Sequence, residues 1–129
     1  MSFPALRIET VQHGEVLVLK PIGWVAAGGH VALEEKLQRL VAEGSRRLVV
    51  DLSAAHFVSS TGLGVFLYFK QVLEDAGGRL VLAAPGGAVQ KMLIAANLDQ
   101  ALTICPSVAE AVRKVKPKPP SRRTQTSKA

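Results

Sequence analysis

The sequence predicts an α/β fold, a single domain with a mixed, mostly parallel sheet in the order ββαβαβαβα and helices packed around it. Three observations carry this. Segments with strand-like patterning alternate with segments of helical periodicity. Two strand segments in the middle of the chain, 47–52 and 79–84, have continuous apolar centres, as strands buried on both faces do. Only the first two strand segments follow one another across a short turn, so only they are placed to form a hairpin.

The elements follow in order. Leu6, Ile8, Thr10 and Gln12 fall on one side of the first strand and Arg7, Glu9 and Val11 on the other, a pattern suited to a sheet edge. His13-Gly14 supplies the turn. Residues 16–22 are a denser apolar run broken by Lys20 and read as a more central strand. Gly23 to Gly29 reads as a connection. Val31, Leu33, Leu37, Leu40 and Val41 then recur at near-helical spacing, and Gly44 fits the stop of that helix. After the buried strand 47–52, Ser53 to Ser60 reads as a loop. A second helix is expected from Gly62 to Ala76, ended by Gly77-Gly78, with Leu63, Val65, Phe66, Leu67, Phe69, Val72 and Leu73 mostly in the core. The strand 79–84 follows, then a third helix from Ala88 to Ala96 and a short last strand over 102–104. The final helix runs to about Lys114, with Ser107 as its N-cap and Glu110 placed for a capping box. No internal repeat is present.

Composition bounds the function. Apolar residues make up 48% of the 129, enough for one core, while aromatics are only 5% and leave few platforms for stacking nucleic-acid bases. The formal net charge of +6 is confined to one end: Arg113, Lys114, Lys116, Lys118, Arg122, Arg123 and Lys128 are followed by no acid, whereas residues 1–112 hold nine basic and ten acidic side chains. The basic character therefore belongs to a tail and not to a folded face, which argues against direct nucleic-acid binding. Residues 1–114 are expected to form the domain, and residues 115–129, rich in Pro, Ser, Thr and basic side chains, a disordered solvated tail. Cys105 is the only cysteine, so no internal disulfide can form. The start has no basic region followed by an apolar stretch, and no apolar run approaches a membrane span; no membrane insertion is expected, and the cytoplasm is the expected compartment.

The informative stretch is residues 51–67, where a buried strand ends, a loop turns and three hydroxyl residues arrive at the start of a helix. Ser59, Ser60 or Thr61 can cap that helix. Gly62 and Gly64 remove side chains from its first turn, so another molecule can approach closely. A helix start carries partial positive charge and free N–H groups, and phosphate on a hydroxyl there adds about −1.5 to −2 charges to a surface that a partner would otherwise cover. Plain helix capping is the competing interpretation of the same residues.

Asp51-Leu52-Ser53 followed by Phe57-Val58-Ser59-Ser60-Thr61-Gly62-Leu63-Gly64 resembles the signature of STAS domains, which in bacterial anti-sigma-factor antagonists reads approximately D-L-S…F-x-D-S-S-G-L-G. Gly77-Gly78 and the apolar register Val89, Leu93, Leu98-Asp99, Leu102, Ile104, Ser107, Glu110-Ala111-Val112 continue the likeness over about residues 6–114. The resemblance implies a phosphorylation-controlled binding module for partner switching in transcription regulation. Its partners would be an ATP-binding, serine-kinase-type anti-sigma factor, whose capture frees a sigma factor, and a resetting phosphatase. By position the phosphoacceptor would be Thr61, with Ser60 as the alternative, and the partner-binding residues would be Ser59, Ser60, Thr61, Gly62, Leu63 and Gly64, with Trp24 as an exposed anchor or a cap over the core. Two family carboxylates are missing: Ser59 stands in place of the acid before the hydroxyl pair, and Ala26 in place of the acid of a G-x-L-D stretch. The alternative function is a constitutive STAS subunit of a lipid-transport or other regulatory complex.

Neither an enzyme nor a cofactor is expected. His13, His30 and His56 lack ligand-like spacing, and no nucleophile elbow or Ser-His-Asp order is present. His56 is expected to pack in the switch loop. The glycine-rich segments match no Walker or dinucleotide fingerprint.

Overall fold

The computed structural model describes residues 6–26 and 28–117. Its elements are β1 (Arg7–His13), β2 (Val16–Val25), α1 (Gly29–Ala42), β3 (Arg47–Asp51), β4 (Ala55–Val58), α2 (Ser60–Asp75), β5 (Arg79–Ala83), α3 (Gly87–Ala95), α4 (Leu98–Ala101), β6 (Ile104–Cys105) and α5 (Val108–Val115). The sheet order is β1-β2-β3-β5-β6, and β4 lies off this path against β2. β1 and β2 pair antiparallel, with Thr10 opposite Leu19; every other pairing is parallel. The mixed, mostly parallel sheet with its opening hairpin is as the sequence predicts.

Strand alternation divides the core in two. Leu17, Leu19, Leu48, Val50, Leu80 and Leu82 face a large aliphatic layer with α1, α2, α3 and α4, in which Phe66 and Phe69 are the bulkiest buried side chains. Val16, Val18, Val49, Val81, Ala83 and Cys105 face the other way, onto Ala111 and Val115 of α5. Gly44 and Gly77 adopt positive φ just past α1 and α2. Beyond them Ser45 and Gly78 donate their N–H groups to the carbonyls of Leu40 and Leu73, closing each helix where the sequence places its stop.

Several boundaries differ from the sequence expectation. The segment expected as a loop, Ser53 to Ser60, contains β4, and the connection expected at Gly23 to Gly29 begins with three further residues of β2. These two corrections are one event: Trp24 pairs with Phe57 and Val25 with Val58, with an irregularity at Gly23, so each short piece is a strand because the other is there. The third helix, expected over Ala88 to Ala96, runs over Gly87–Ala95, and the one-turn α4, not assigned from the sequence, follows it after Asn97 in the left-handed region at φ 59°. The last strand is shifted to Ile104–Cys105, where the N–H groups of Leu82 and Ala84 donate to the carbonyls of Thr103 and Cys105.

α5 runs one residue past the expected domain boundary and ends against the beginnings of β3 and β5. Arg47 donates from Nη1 to the carbonyl of Val115 (2.9 Å), and Arg79 to that of Lys114 (3.4 Å). Two cations thus meet the negative end of the helix dipole. The expected disorder of the tail falls mostly on residues 118–129, outside the described residues. Lys116 leaves at the end of the sheet opposite to the start of α2.

Candidate functional site

The site is assembled from three chain segments at the carboxyl ends of β2, β3 and β4. Asp51, the one buried charged residue among those described, ends β3 and accepts through Oδ1 from the N–H of Ser53 at 3.0 Å. The Leu52 N–H donates to the Ala83 carbonyl, and the Ala55 N–H to that of Leu52. Asp51-Leu52-Ser53 is therefore the corner that turns the chain into β4. β4 carries it along β2, and at its end the Ser59 N–H donates to the Val25 carbonyl (2.9 Å).

Ser59 is the N-cap. Its backbone is extended (φ −72°, ψ 166°), its Oγ accepts from the Gly62 N–H at 3.1 Å, and its carbonyl accepts from the Leu63 N–H. Of the three hydroxyls that could cap, only this half-buried one does so. Ser60 and Thr61 lie in the first turn, both exposed. That turn contains no acidic residue, so α2 does not answer its own dipole from within.

The two glycines differ. A Cβ on Gly62 would lie 2.8 Å from Val25 Cγ1, 3.0 Å from Val58 Cγ1 and 3.3 Å from the Val25 carbonyl oxygen, so Gly62 lets α2 sit directly on the ends of β2 and β4. A Cβ on Gly64 would meet nothing within 4 Å; that position is open on the exposed side. The structure thus brings Ser60, Thr61 and Gly64 to the surface. It turns Gly62 inward and places the Leu63 side chain in the core, where Leu63 offers no docking surface of its own.

Trp24 is 40% exposed and stacks on Phe57 with ring centroids 5.3 Å apart, an aromatic pair fixed by the β2–β4 register. Alternation directs this pair away from Val25 and Val58, onto the opposite side of the strands from α2. Phe57 had no assigned role in the sequence; its place one strand over from Trp24 depends on the unrecognised β4. His56 is exposed on β4, correcting the expectation that it packs within a loop. Ala26 directly follows Val25, whose carbonyl the Ser59 N–H meets, so the two positions that lack the family's carboxylates flank one hydrogen bond. Tyr68, not singled out in the sequence, stands 58% exposed on α2.

Among the described residues no cluster of three His, Cys, Asp or Glu side chains could hold a metal, and no helix is long and apolar enough to cross a membrane. Cys105 is buried and its thiol is pushed above the ordinary range, chiefly by burial, which keeps it protonated and poorly nucleophilic.

Residues 7–111 match the model of the STAS domain. The chain is 26% identical over 117 residues to the anti-sigma-F factor antagonist RsfB of Mycobacterium tuberculosis, spanning 90% of this chain and 95% of that one. Its fold is similar to the crystal structure of the tm1081 protein of Thermotoga maritima, with a TM-score of 0.78 and 21% identity over 84% of this chain and 93% of the other. It is also similar to the Bacillus cell fate determinant SpoIIAA in its phosphorylated form, with a TM-score of 0.64 and 21% identity over 87% of this chain and all of the other.

Proposed function

We propose that this chain, which belongs to the STAS domain family, is an anti-sigma-factor antagonist that binds a serine-kinase-type anti-sigma factor when unmodified and releases it when phosphorylated. The observation that carries the reading is the division of labour at the start of α2. Ser59 caps the helix, which leaves the Thr61 hydroxyl exposed in a turn with no acid and with open space at Gly64. Thr61 is the phosphoacceptor and Ser60 the alternative. Phosphate on Thr61 would sit where free N–H groups and the helix dipole favour an anion, and it would place charge on the docking face. Ser59, Ser60, Thr61 and Gly64 form the centre of that face; Gly62 and Leu63 set the helix position behind it, and Trp24, on the opposite side of the strands from α2, lies outside it. The length-wide likeness to RsfB supports the partner class, and SpoIIAA shows a protein of this fold carrying phosphate.

The protein works by binding rather than turnover, in the cytoplasm, with a phosphatase restoring the unmodified form. The test is incubation of the full chain with its co-purifying ATP-binding kinase and ATP, followed by mapping of the modified residue by mass spectrometry. Thr61 should carry the phosphate, and Thr61→Ala should bind the kinase like the parent while blocking modification there. If the kinase binds but neither Thr61 nor Ser60 is modified, the constitutive-subunit reading replaces this one; the missing carboxylates at Ser59 and Ala26 are what favour it.

A further inference from the structure

The exposed side of α2 divides into two parts. In the second Lys70 pairs with Glu74 (3.2 Å), and Gln71 donates to Asp75 (2.9 Å), a charged and polar surface satisfied within the helix. The part before Lys70 presents Ser60, Thr61, Gly64 and Tyr68, and none of these is charged. Thr61, Gly64 and Tyr68 are spaced i, i+3 and i+7, so they lie along one line of the helix. Gly64 leaves a notch between the hydroxyl and the tyrosine ring, because nothing lies within 4 Å of its missing Cβ. The ring is not loose: it meets the buried Phe69 edge-on, with centroids 5.1 Å apart, and still exposes 58% of the residue. Among the described residues Tyr68 is the one large hydrophobic on the exposed side of α2; Val11, Trp24, Val31 and Ile94 belong to other elements.

Resting on the reading that a kinase modifies Thr61, we propose that Tyr68 is the anchor by which that kinase recognises this chain, its ring seated in a pocket of the partner while the Gly64 notch admits the partner's backbone to the acceptor. The occupant follows from geometry. Seven residues of helix separate Thr61 from Tyr68 by about 10 Å along the axis. A standard protein interface covers about 800 Å² on each partner, a patch of roughly 16 Å radius if centred on Thr61. A protein that brings ATP to the Thr61 hydroxyl therefore covers Tyr68 as well. A tyrosine already held by its neighbour loses little side-chain freedom on burial, which is the character of an interface hot spot. Tyr68 touches neither ATP nor the reacting hydroxyl, so it acts on recognition and not on phosphoryl transfer.

The experiment compares the full chain with Tyr68→Ala and Tyr68→Phe against the purified ATP-binding kinase that co-purifies with it. Affinity is measured by titration calorimetry without ATP, and phosphorylation of Thr61 is followed at varied chain concentration. Tyr68→Ala should weaken binding and raise KM by about tenfold to a hundredfold with kcat within about twofold. Tyr68→Phe should stay within about threefold of the parent, and thermal unfolding of both variants should match the parent because the side chain is exposed. If Thr61 is modified while Tyr68→Ala binds as tightly as the parent, the anchor is overturned and the acceptor stands. If the parent is bound but modified at neither Thr61 nor Ser60, the acceptor reading fails and the anchor falls with it.

Discussion

Two helices of this protein begin in the same way and do different things. α2 and α5 each follow a strand, and each is capped by a serine whose Oγ accepts from the N–H three residues on: Ser59 from Gly62 at 3.1 Å, Ser107 from Glu110 at 3.2 Å. The cap chemistry is equivalent, so capping cannot be what makes one of them a candidate switch. α5 has Glu110 in its first turn, which answers the helix dipole from within. α2 has no acid there, two exposed hydroxyls beyond the cap, and a glycine with open space before it. A serine at a helix start is thus a structural device by default. What sets the α2 start apart, and motivates the proposal of a modification site there, is the second hydroxyl left over beside a first turn with no acid.

The largest effect that would sharpen this contrast comes from placing the same charge at the second helical position of each. Thr61→Asp should weaken kinase binding by about 2–3 kcal/mol, roughly a hundredfold, through desolvation of the carboxylate on the docking face. Ala109→Asp, exposed at the equivalent place in α5, should leave binding unchanged. Neither change should reduce stability, because an acid near a helix start is favourable by about 0.3–1 kcal/mol. Equal losses of binding from both would mean that the partner senses net charge and not a face.

A smaller effect separates the glycines. Gly62→Ala should lower the stability measured by urea unfolding by about 1–3 kcal/mol, since Val25 and Val58 leave no room for a Cβ. Gly64→Ala should raise stability by up to about 1 kcal/mol through helix propensity, while filling the notch beside Thr61 and so reducing affinity. Gly62→Ala with parent-like stability would show that the start of α2 can lift off the strands freely.

The smallest difference should lie between the caps themselves. Ser59→Ala and Ser107→Ala should each cost about 1 kcal/mol in unfolding experiments, whereas Thr61→Ala should cost close to none of that capping energy. A Thr61→Ala loss as large as that of Ser59→Ala would mean that Thr61 takes part in the cap, and would return it to a structural role.

The alternation of patterns, the continuous apolar centres of β3 and β5, and the glycine stops after α1 and α2 make most of the fold legible in the sequence. These features act locally: a buried strand must be apolar on both faces, and a helix that ends in the left-handed region favours glycine. The boundaries that shifted, at Gly23 to Val25 and Ala55 to Val58, belong to short stretches whose strand pairing is with each other. Their backbone partners lie some thirty residues away in sequence and leave no periodic trace in either segment.

The site follows the same division. The run Ser59-Ser60-Thr61-Gly62-Leu63-Gly64 by itself determined that a helix starts beside several hydroxyls and two glycines, because capping preference and glycine's lack of a side chain are properties of the residues. Which hydroxyl caps, which glycine is pressed against valines and which faces open space, and that Tyr68 stands out in line with Thr61, were decided by the seating of α2 on the ends of β2 and β4. The physical reason is that exposure and close approach are relations between segments distant in the chain, set by how a rigid helix meets two strand ends, and no residue carries them alone.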